Sequence, residues 1–433
     1  MARDRKPITA RQHISSLLVA SLVIGIICGP AHTAASVLDN AINKANQMAT
    51  QMGADAKTTE LVLTSNVVLT TRLPELLGAA KLTIRGACGS DGIVKCIIRG
   101  GGAFPIFTGA SPILYSSASR STAGQLTLVN LTFQYALGGV FYNLLTSVNA
   151  SQCNFAHNVA AADAGGAVLR DNLPRMFEPP ERVFTECIFL NNSSPTLGGG
   201  AVNIDATTFN ANGRTSSVPA LSFLRCIFKD NSAPKHLGGA VRVAGTARLR
   251  FEDCLFEGNS AGVSGGAIYA KDAFLTFIKV KLNYNKALGT ATANGVIAGE
   301  GGAAYAAASG LNSAAAVRFC SSTFQGNTAK FTDGSSLYME AGWGLSWAAV
   351  LSICDGSMPT GIVVPTSGWK LVTGCPASLL AVHTLAPMPP PTFPSHELCS
   401  FGSPHVLPPH PLCFLPMPLP SRLSPSPSST CNA

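Results

Sequence analysis

Candidate acid and base groups are few in this sequence, and they lie at fixed places within a repeated motif. Asp171 and Asp205 each lie six residues after the first glycine of a Gly-Gly-Ala motif, and Lys271 has the same place in a later motif. If successive motifs stack at the spacing of neighbouring β-strands, the two carboxylates lie about 5 Å apart. Such a pair could serve acid–base cleavage of a polysaccharide. The alternative, which the pattern favours, is three solvated charges at strand ends.

An aromatic pattern recurs four residues after the same glycine. Because neighbours one position earlier are mostly apolar and strand side chains alternate, these residues are predicted to face outward. Tyrosines in a row beside an arginine could stack on sugar rings or anchor a protein partner. The alternative is an outer aromatic ladder that stabilises the sheet. The positions read Tyr142, Leu169, Asn203, Arg242, Tyr269, Tyr305 and Tyr338, and the candidate ligand-binding residues are Arg242, Tyr269, Tyr305 and Tyr338.

Cysteines form a third recurrent pattern. Neighbouring members of the column lie within disulfide reach if the motifs stack, so Cys153–Cys187 and Cys226–Cys254 are one arrangement and buried thiols are the other. The sequence favours the thiols. Cys88 and Cys96 flank a short turn and could form a local disulfide. No Cys-x-x-Cys pair or histidine lies at zinc-ligand spacing, so we predict no metal and no cofactor. The column consists of Cys153, Cys187, Cys226 and Cys254.

The recurrent side chains described above all belong to one sequence repeat, and its fold determines where they lie. The repeat has the form Cys-x-Phe-x-x-Asn, followed by Gly-Gly-Ala-Val or a close variant. The intervals between successive asparagines vary widely, which is atypical of a helical solenoid but compatible with stacked β-coils that carry outer loops. Side chains two apart share one face, and a three-residue step before the cysteine marks a bend between strands. Stacked asparagine amides can then hydrogen-bond from coil to coil. The predicted ladder comprises Asn158, Asn192, Asn231, Asn259, Asn285 and Asn327.

These motifs predict an all-β chain folded as a parallel β-helix, which we take as right-handed from the general rule for parallel crossovers. Over residues 130–340 the paired Gly-Gly-Ala and Phe-x-x-Asn motifs resemble the repeats of chlamydial polymorphic outer membrane proteins. That resemblance implies a β-helical fold and a surface adhesin, and an outer-membrane location by analogy with the bacterial members. The architecture also resembles the pectin-lyase-like superfamily, which implies polysaccharide cleavage as the alternative activity.

The two ends of the chain differ from the repeats. Residues 1–35 have the order of a secretory signal, with a basic start, an apolar run and a small-residue site ending at Ala35, although an uncleaved signal anchor is the alternative. Residues 36–53 resemble a capped amphipathic helix that covers the first coil. The β-helix is predicted over residues 36–345, with a terminal coil or cap over 346–375. Residues 376–433 are rich in proline, and we expect them to be disordered or extended.

Composition narrows the functional classes. The 433 residues carry a formal net charge of +8, but the charge is spread thinly and shows no basic run. Nucleic-acid binding is therefore not expected. Apart from the signal, no segment is long and apolar enough to span a bilayer. We predict a non-catalytic, secreted or cell-surface protein for adhesion, glycan binding or cell-wall structure, with a polysaccharide or a surface protein as its partner.

Overall fold

Short parallel strands, stacked coil upon coil, make up most of the regular structure in the described part of the chain. The computed structural model describes residues 33–89, 94–101, 104–109, 124–144, 146–161, 165–171, 181–206, 220–290, 299–308, 315–330, 336–341, 349–354, 362–363 and 369–373. All of them lie in one unit, Met1–Leu380. Most of the predicted signal and all of the proline-rich tail fall outside these residues.

The described strands form four parallel sheets, here called A to D. Sheet A contains, in stacking order, Thr59–Leu63, Lys81–Gly86, Gln125–Val129, Ser147–Ser151, Arg182–Thr185, Ala220–Leu224, Arg248–Glu252, Phe274–Ile278, Ala315–Cys320, Ala349–Ile353 and Trp369–Thr373. Sheet B contains Val67–Leu69, Cys96–Gly100, Leu131–Gln134, Asn154–Ala156, Ile188–Leu190, Ile227–Lys229, Leu255–Glu257, Lys281–Asn283 and Thr323–Gln325.

The other two sheets complete each coil. Sheet C contains Phe107–Thr108, Phe141–Tyr142, Leu169–Asp171, Val202–Ala206, Val241–Gly245, Ile268–Lys271, Ala304–Ala308, Leu337–Ala341 and Ile362–Val363. Sheet D is a narrow strip of Ser232–Ala233, Ser260–Ala261, Lys286–Ala287 and Thr328–Ala329. One coil passes through sheets A, B, D and C in that order, and the next coil repeats the path. The predicted right-handed parallel β-helix is confirmed.

An N-terminal helix lies against the first coils, as predicted. Helix α1 spans Thr33–Met52 and is followed by a short 3-10 helix, Gly53–Asp55. Its apolar side chains Leu38, Ile42 and Ala45 are buried in the main core. Asn46 fixes the helix to the chain below, because its amide donates to the Glu75 carbonyl and its oxygen accepts from the Leu77 amide, at 2.7 and 3.0 Å.

Two columns of phenylalanine rings fill the interior. In the sheet B column, successive ring centroids lie 5.2, 4.4 and 4.5 Å apart. Rings of the sheet A column meet them edge to face, as Phe223 meets Phe228 at 5.3 Å and 73°. Each such pair contributes roughly 0.5–1.5 kcal/mol beyond its buried area. The sheet B distances join Phe155, Phe189, Phe228 and Phe256, which Phe133 precedes at 5.3 Å; the sheet A column is Phe184, Phe223, Phe251, Phe277 and Phe319.

A left-handed residue makes the bend between sheets A and B. In one coil Phe251 and Cys254 both face the core, and Asp253 between them has φ of 51°. Because this residue interrupts the alternation of inward and outward side chains, two inward residues are separated by three positions instead of two, as seen in the sequence. Non-glycine residues adopt this conformation at a modest cost in backbone energy. The residues at the equivalent bend of successive coils, all with positive φ, are Asn130, Gln152, Glu186, Arg225, Asp253, Lys279 and Ser321.

Glycine is required where the coils that carry the Gly-Gly motif enter sheet C. Gly238 has φ of 69°, and a Cβ added to Gly239 would lie 2.1 Å from the Gly266 carbonyl oxygen of the next coil. The left-handed glycines stack, but the coil of Gly165 uses the second glycine of its pair for this turn. Gly166 therefore lies where Gly199 does in the next coil, and its amide donates to the Gly199 carbonyl at 2.9 Å.

Candidate functional site

Asp171 and Asp205 do not lie opposite each other, which corrects the sequence prediction. Asp171 pairs with Ile204 and Asp205 pairs with Ala244. The cause is the glycine offset just described, because Gly166 rather than Gly165 makes the turn and the following strand shifts by one residue. In a strand, a shift of one residue moves a side chain to the opposite face. Asp171 is accordingly buried, whereas Asp205 faces outward and is partly exposed.

Asp171 serves as the counter-ion of a fully buried arginine that the sequence reasoning missed. Arg182 has no exposed surface, and its guanidinium lies 3.2 Å (Nε) and 3.3 Å (Nη2) from the two Asp171 carboxylate oxygens. It also donates to the carbonyls of Thr146 and Leu144 at 2.6 and 2.5 Å. A buried charge is tolerated only when it is paired and hydrogen-bonded in this way. Asp171 is thereby held in a structural role.

A signal for Arg182 was present in the sequence. Its in-register neighbours in sheet A are the apolar residues Val148 and Leu221, both facing the core. An arginine five residues before a column cysteine therefore breaks the apolar pattern at that place. Such a break predicts a buried cation, and a buried cation requires an acidic partner nearby.

Asp205 lies in an outward column of sheet C that also holds Lys271, as the sequence predicted. Ala244 separates the two, so they are two coils, or about 10 Å, apart. The Asp205 carboxylate instead lies 3.8 Å from Arg242, which also donates to Asn203 at 2.8 Å. Beyond Lys271 the column continues through Ala307 to Glu340. The geometry does not place the two candidate carboxylates, Asp171 and Asp205, at a shared reaction centre.

The aromatic column of sheet C, here called the tyrosine stripe, differs from the predicted one at a single place. Arg170, not Leu169, lies in it, and Leu169 is fully buried against the core because of the same one-residue offset. The Arg170 guanidinium lies 4.9 Å from the centre of the Tyr142 ring. The stripe is Tyr142, Arg170, Asn203, Arg242, Tyr269, Tyr305 and Tyr338.

The last three rings of the stripe stack on one another. The Tyr269 and Tyr305 centroids lie 5.1 Å apart, and those of Tyr305 and Tyr338 lie 5.5 Å apart, with interplanar angles of 10° and 19°. Tyr269 and Tyr305 are only 9% and 8% exposed. Both faces of the Tyr305 ring are thus covered by its neighbours, and its hydroxyl donates to the Glu340 carboxylate. The stripe offers ring edges and polar groups, rather than open ring faces, to a ligand.

Electrostatics at the stripe follow from this burial. Desolvation raises the pKa of Tyr269 to about 12; the Arg242 guanidinium opposes the shift, and the carboxylates of Glu340 and Asp272 add to it. Desolvation lowers the pKa of His236, and the positive charges of Arg242 and Lys235 act in the same direction. Tyr269 and His236 are therefore neutral at pH 7.

The six asparagines predicted as a ladder are hydrogen-bonded in series. Each Nδ2 except the last donates to the Oδ1 of the next asparagine, at 2.9–3.0 Å. At the end of the series, Asn327 Nδ2 donates to the Leu282 carbonyl at 2.7 Å. All six are at most 6% exposed. These amides satisfy one another and leave no group directed at solvent, so the ladder belongs to the architecture.

The cysteine column consists of free, buried thiols. Cys226 and Cys254 each donate to a carbonyl of the preceding coil, Phe184 and Phe223, at 3.3 Å. Burial raises the pKa of Cys153 and Cys187, and raises that of Cys226 to about 12. Of the four, only Cys254 differs, because its interaction with the neighbouring Cys226 thiol lowers its pKa. Disulfides instead join Cys88 to Cys96 and Cys320 to Cys354.

Metal-ligand clusters and membrane-crossing helices are both absent from the described residues. Among them, no group of three or more His, Cys, Asp or Glu side chains is placed to hold a metal ion. None of the described helices combines the length and apolar character needed to cross a membrane.

Comparison with known proteins identifies the repeat. Residues 253–271 match a family model described as the Chlamydia polymorphic membrane protein (Chlamydia_PMP) repeat. The matched segment includes Cys254, Phe256, Asn259 and Gly265, the residues that make the core, ladder and turn of one coil. The resemblance predicted from the spacing is confirmed for this segment. No curated protein and no solved structure matches the chain.

Proposed function

We propose that this chain, which carries a polymorphic membrane protein repeat, is a non-catalytic β-helix at the cell surface or outside the cell. Its role in this proposal is adhesion or wall structure, through a polysaccharide or surface protein bound to its side faces. The observation that carries the proposal is that each of the two candidate carboxylates is already paired with an arginine, and that the two pairs lie apart. Asp171 is buried against Arg182, and Asp205 lies beside Arg242 on another face of the sheet. General acid–base cleavage needs two groups that converge on one bond.

The location is supported by sequence and by the comparison. The matched repeat is described as that of a membrane protein, and residues 1–35 have the order of a secretory signal. The proposal includes export through that signal, the β-helix over 36–345 with a terminal coil over 346–375, and the proline-rich residues 376–433 as a disordered or extended tail.

The tyrosine stripe is the proposed contact surface on the β-helix. Its partly exposed members are Tyr142, Arg170, Arg242 and Tyr338, while Tyr269 and Tyr305 present edges. With Asp205 and Glu340 alongside, this surface offers donors and acceptors spaced by one coil, about 4.8 Å. Hydroxyl groups of a sugar chain would hydrogen-bond to such an array, and stacking on a ring face is not needed.

The experiment uses the full chain and a panel of neutral and acidic polysaccharides. Bound protein is measured in the same wells as new reducing ends and unsaturated product. We expect binding without product, weakened at least fivefold by Arg242→Ala or Tyr338→Ala. Tyr135→Ala is the matched control, because Tyr135 is an exposed tyrosine on another part of the coil.

Two outcomes would change the assignment. Product that disappears in Asp205→Asn would make the chain a polysaccharide-cleaving enzyme, as the pectin-lyase-like resemblance implies. Absence of binding to every polysaccharide would remove glycan binding and leave a protein partner as the ligand to be sought.

A further inference from the structure

The outer face of sheet B carries an apolar stripe that the proposed function does not use. Ile188, Ile227 and Leu255 are in-register neighbours on successive coils, and all three point away from the phenylalanine core. Each is only half-buried. Large aliphatic side chains in a row on a sheet surface are a common feature of protein interfaces.

Charged residues flank this stripe in a strict order. On one side the bend residues Glu186, Arg225, Asp253 and Lys279 alternate in sign along the stack, and all four are exposed. Glu186 and Arg225 already form an ion pair at 2.9 Å, with side chains 42% and 57% exposed. On the other side Lys229 and Glu257 are neighbours in register, with their charged atoms 2.7 Å apart.

When the bend column of one copy is placed against the same column of a second copy running in the opposite direction, opposite charges face each other. Read from the other end, the bend column becomes Lys279, Asp253, Arg225 and Glu186, so every position meets the opposite sign. The pair Lys229 and Glu257 behaves the same way, and its centre lies between the same two coils. A two-fold axis parallel to the strands, between the coils of Ile227 and Leu255, superimposes each column on itself in reverse.

We propose that the outer face of sheet B binds a second copy of this chain in an antiparallel arrangement about that axis. Arg225 then meets Asp253 of the second copy, Glu186 meets Lys279, and Lys229 meets Glu257. At the centre Ile227 packs against Leu255 of the second copy, and Ile188 packs against the aliphatic stem of Lys281.

The remaining positions of the face contain no like-charge contact. Asp230, which is exposed at the far edge of the face, meets Gly258 of the second copy, where there is no side chain. In the outermost overlapping coils Asn154 meets Thr323 and Gln152 meets Ser321, which are polar and neutral. Like charges placed opposite each other cost free energy, so their absence throughout the overlap favours this register over its neighbours.

The size of the contact sets its strength. Six described coils overlap, which at strand spacing is a length of about 29 Å, and the face is about 15 Å wide. The area is roughly 400 Å² for each copy, about half that of a standard stable interface. The dimer is therefore expected to be weak and reversible, and to weaken as salt screens its exposed ion pairs.

The test uses two full-length charge variants and their mixture. In Arg225→Glu, a glutamate meets Asp253 of the second copy; in Asp253→Arg, an arginine meets Arg225. Each variant alone is repelled at both symmetric places. In the mixture, the glutamate introduced in one variant meets the arginine introduced in the other, and the native Asp253 of the first meets the native Arg225 of the second. Both contacts are then attractive. Sedimentation velocity at protein concentrations up to about 1 mM measures the dimer fraction.

We expect concentration-dependent dimers of the wild type, at least a tenfold weaker dimer for each variant, and recovery in the mixture. Arg85→Glu, an exposed charge on sheet A, is the matched control and should dimerise like the wild type. Circular dichroism melts establish that each variant folds. A wild type that stays monomeric throughout the range, or a mixture that recovers nothing while both variants remain folded, would overturn the proposal.

Discussion

A single side chain in the asparagine ladder connects three successive coils. The amide of Asn231 donates to the Phe189 carbonyl of the preceding coil and to Asn259 of the following one, at 2.9 and 3.0 Å. Its oxygen accepts from the backbone and side-chain amides of Asn192. No residue other than asparagine matches this donor and acceptor geometry at such a short reach, which explains why the column is strict while the loops vary.

Replacing Asn231 by alanine should destabilise the protein strongly. The change leaves several buried groups on the neighbouring coils without partners, each costing about 1–3 kcal/mol, so a loss of about 3 kcal/mol or more is expected. Denaturant unfolding of the purified chain measures it. Asn283→Ala is the control, because Asn283 lies on the outer face of sheet B and is half-buried. Equal stabilities for the two variants would contradict the role given to the ladder.

At this scale the sequence predicted what repeats and missed what occurs once. Each ladder asparagine lies three residues after a phenylalanine or leucine of the motif, so all six can be identified from the sequence alone. Asp171 was placed wrongly because two adjacent glycines, Gly165 and Gly166, offer the same turn, and only packing against the next coil selects the second. Arg182 was missed because the neighbouring positions of its column, Val148 and Leu221, are apolar, and one charged exception does not show up as a repeat.

The tyrosine stripe shows how one element of sheet C responds to pH. Tyr269 has a pKa of about 12, above its ordinary value of 10, because burial disfavours the phenolate. The folded state therefore keeps this proton more tightly than the unfolded chain does. The stability that the neutral ring contributes is fully present below pH 10 and is lost as the pH rises towards 12.

Tyr269→Phe should therefore resist alkali better than the wild type. The free energies of unfolding of the two proteins should be similar near pH 9, and near pH 11.5 the variant should lose less, by up to about 2 kcal/mol. Urea unfolding at both pH values measures the difference. Tyr284→Phe is the control, since Tyr284 is half exposed and should behave as the wild type. An identical pH dependence for Tyr269→Phe would contradict the buried, neutral ring.

Within the sheets, the alternation of apolar and polar residues predicted which side chains of most strands face the core. The three-residue step before the column cysteine predicted the bend between sheets A and B. What the sequence could not supply was the conformation at that bend, where residues as different as Glu186, Arg225 and Lys279 all have positive φ. Their side chains carry no common signal, because the strands on either side impose the turn. The stacking of tyrosine faces was likewise set by register and not by residue type.

For the molecule as a whole, stability is built from contacts between successive coils. Each coil rests on its two neighbours, as in other solenoids, and helix α1 covers the first coils. The proposed pairing through sheet B would leave the tyrosine stripes on sheet C uncovered by the second copy. Two copies in antiparallel contact would then present two separate tyrosine stripes, and if the stripe binds a ligand as proposed, the pairing raises avidity without new contacts.

Stacked coils also determine how the protein responds to mechanical force. Tension applied between its two ends loads the hydrogen bonds that join successive coils, so coils should detach one at a time from an end. Successive ladder asparagines are 34, 39, 28, 26 and 42 residues apart. At an extended length of about 3.4 Å per residue, single-molecule pulling should release unequal steps of about 9 to 14 nm. A surface protein built this way would yield gradually under shear, and a single rupture of the whole stack would exclude that behaviour.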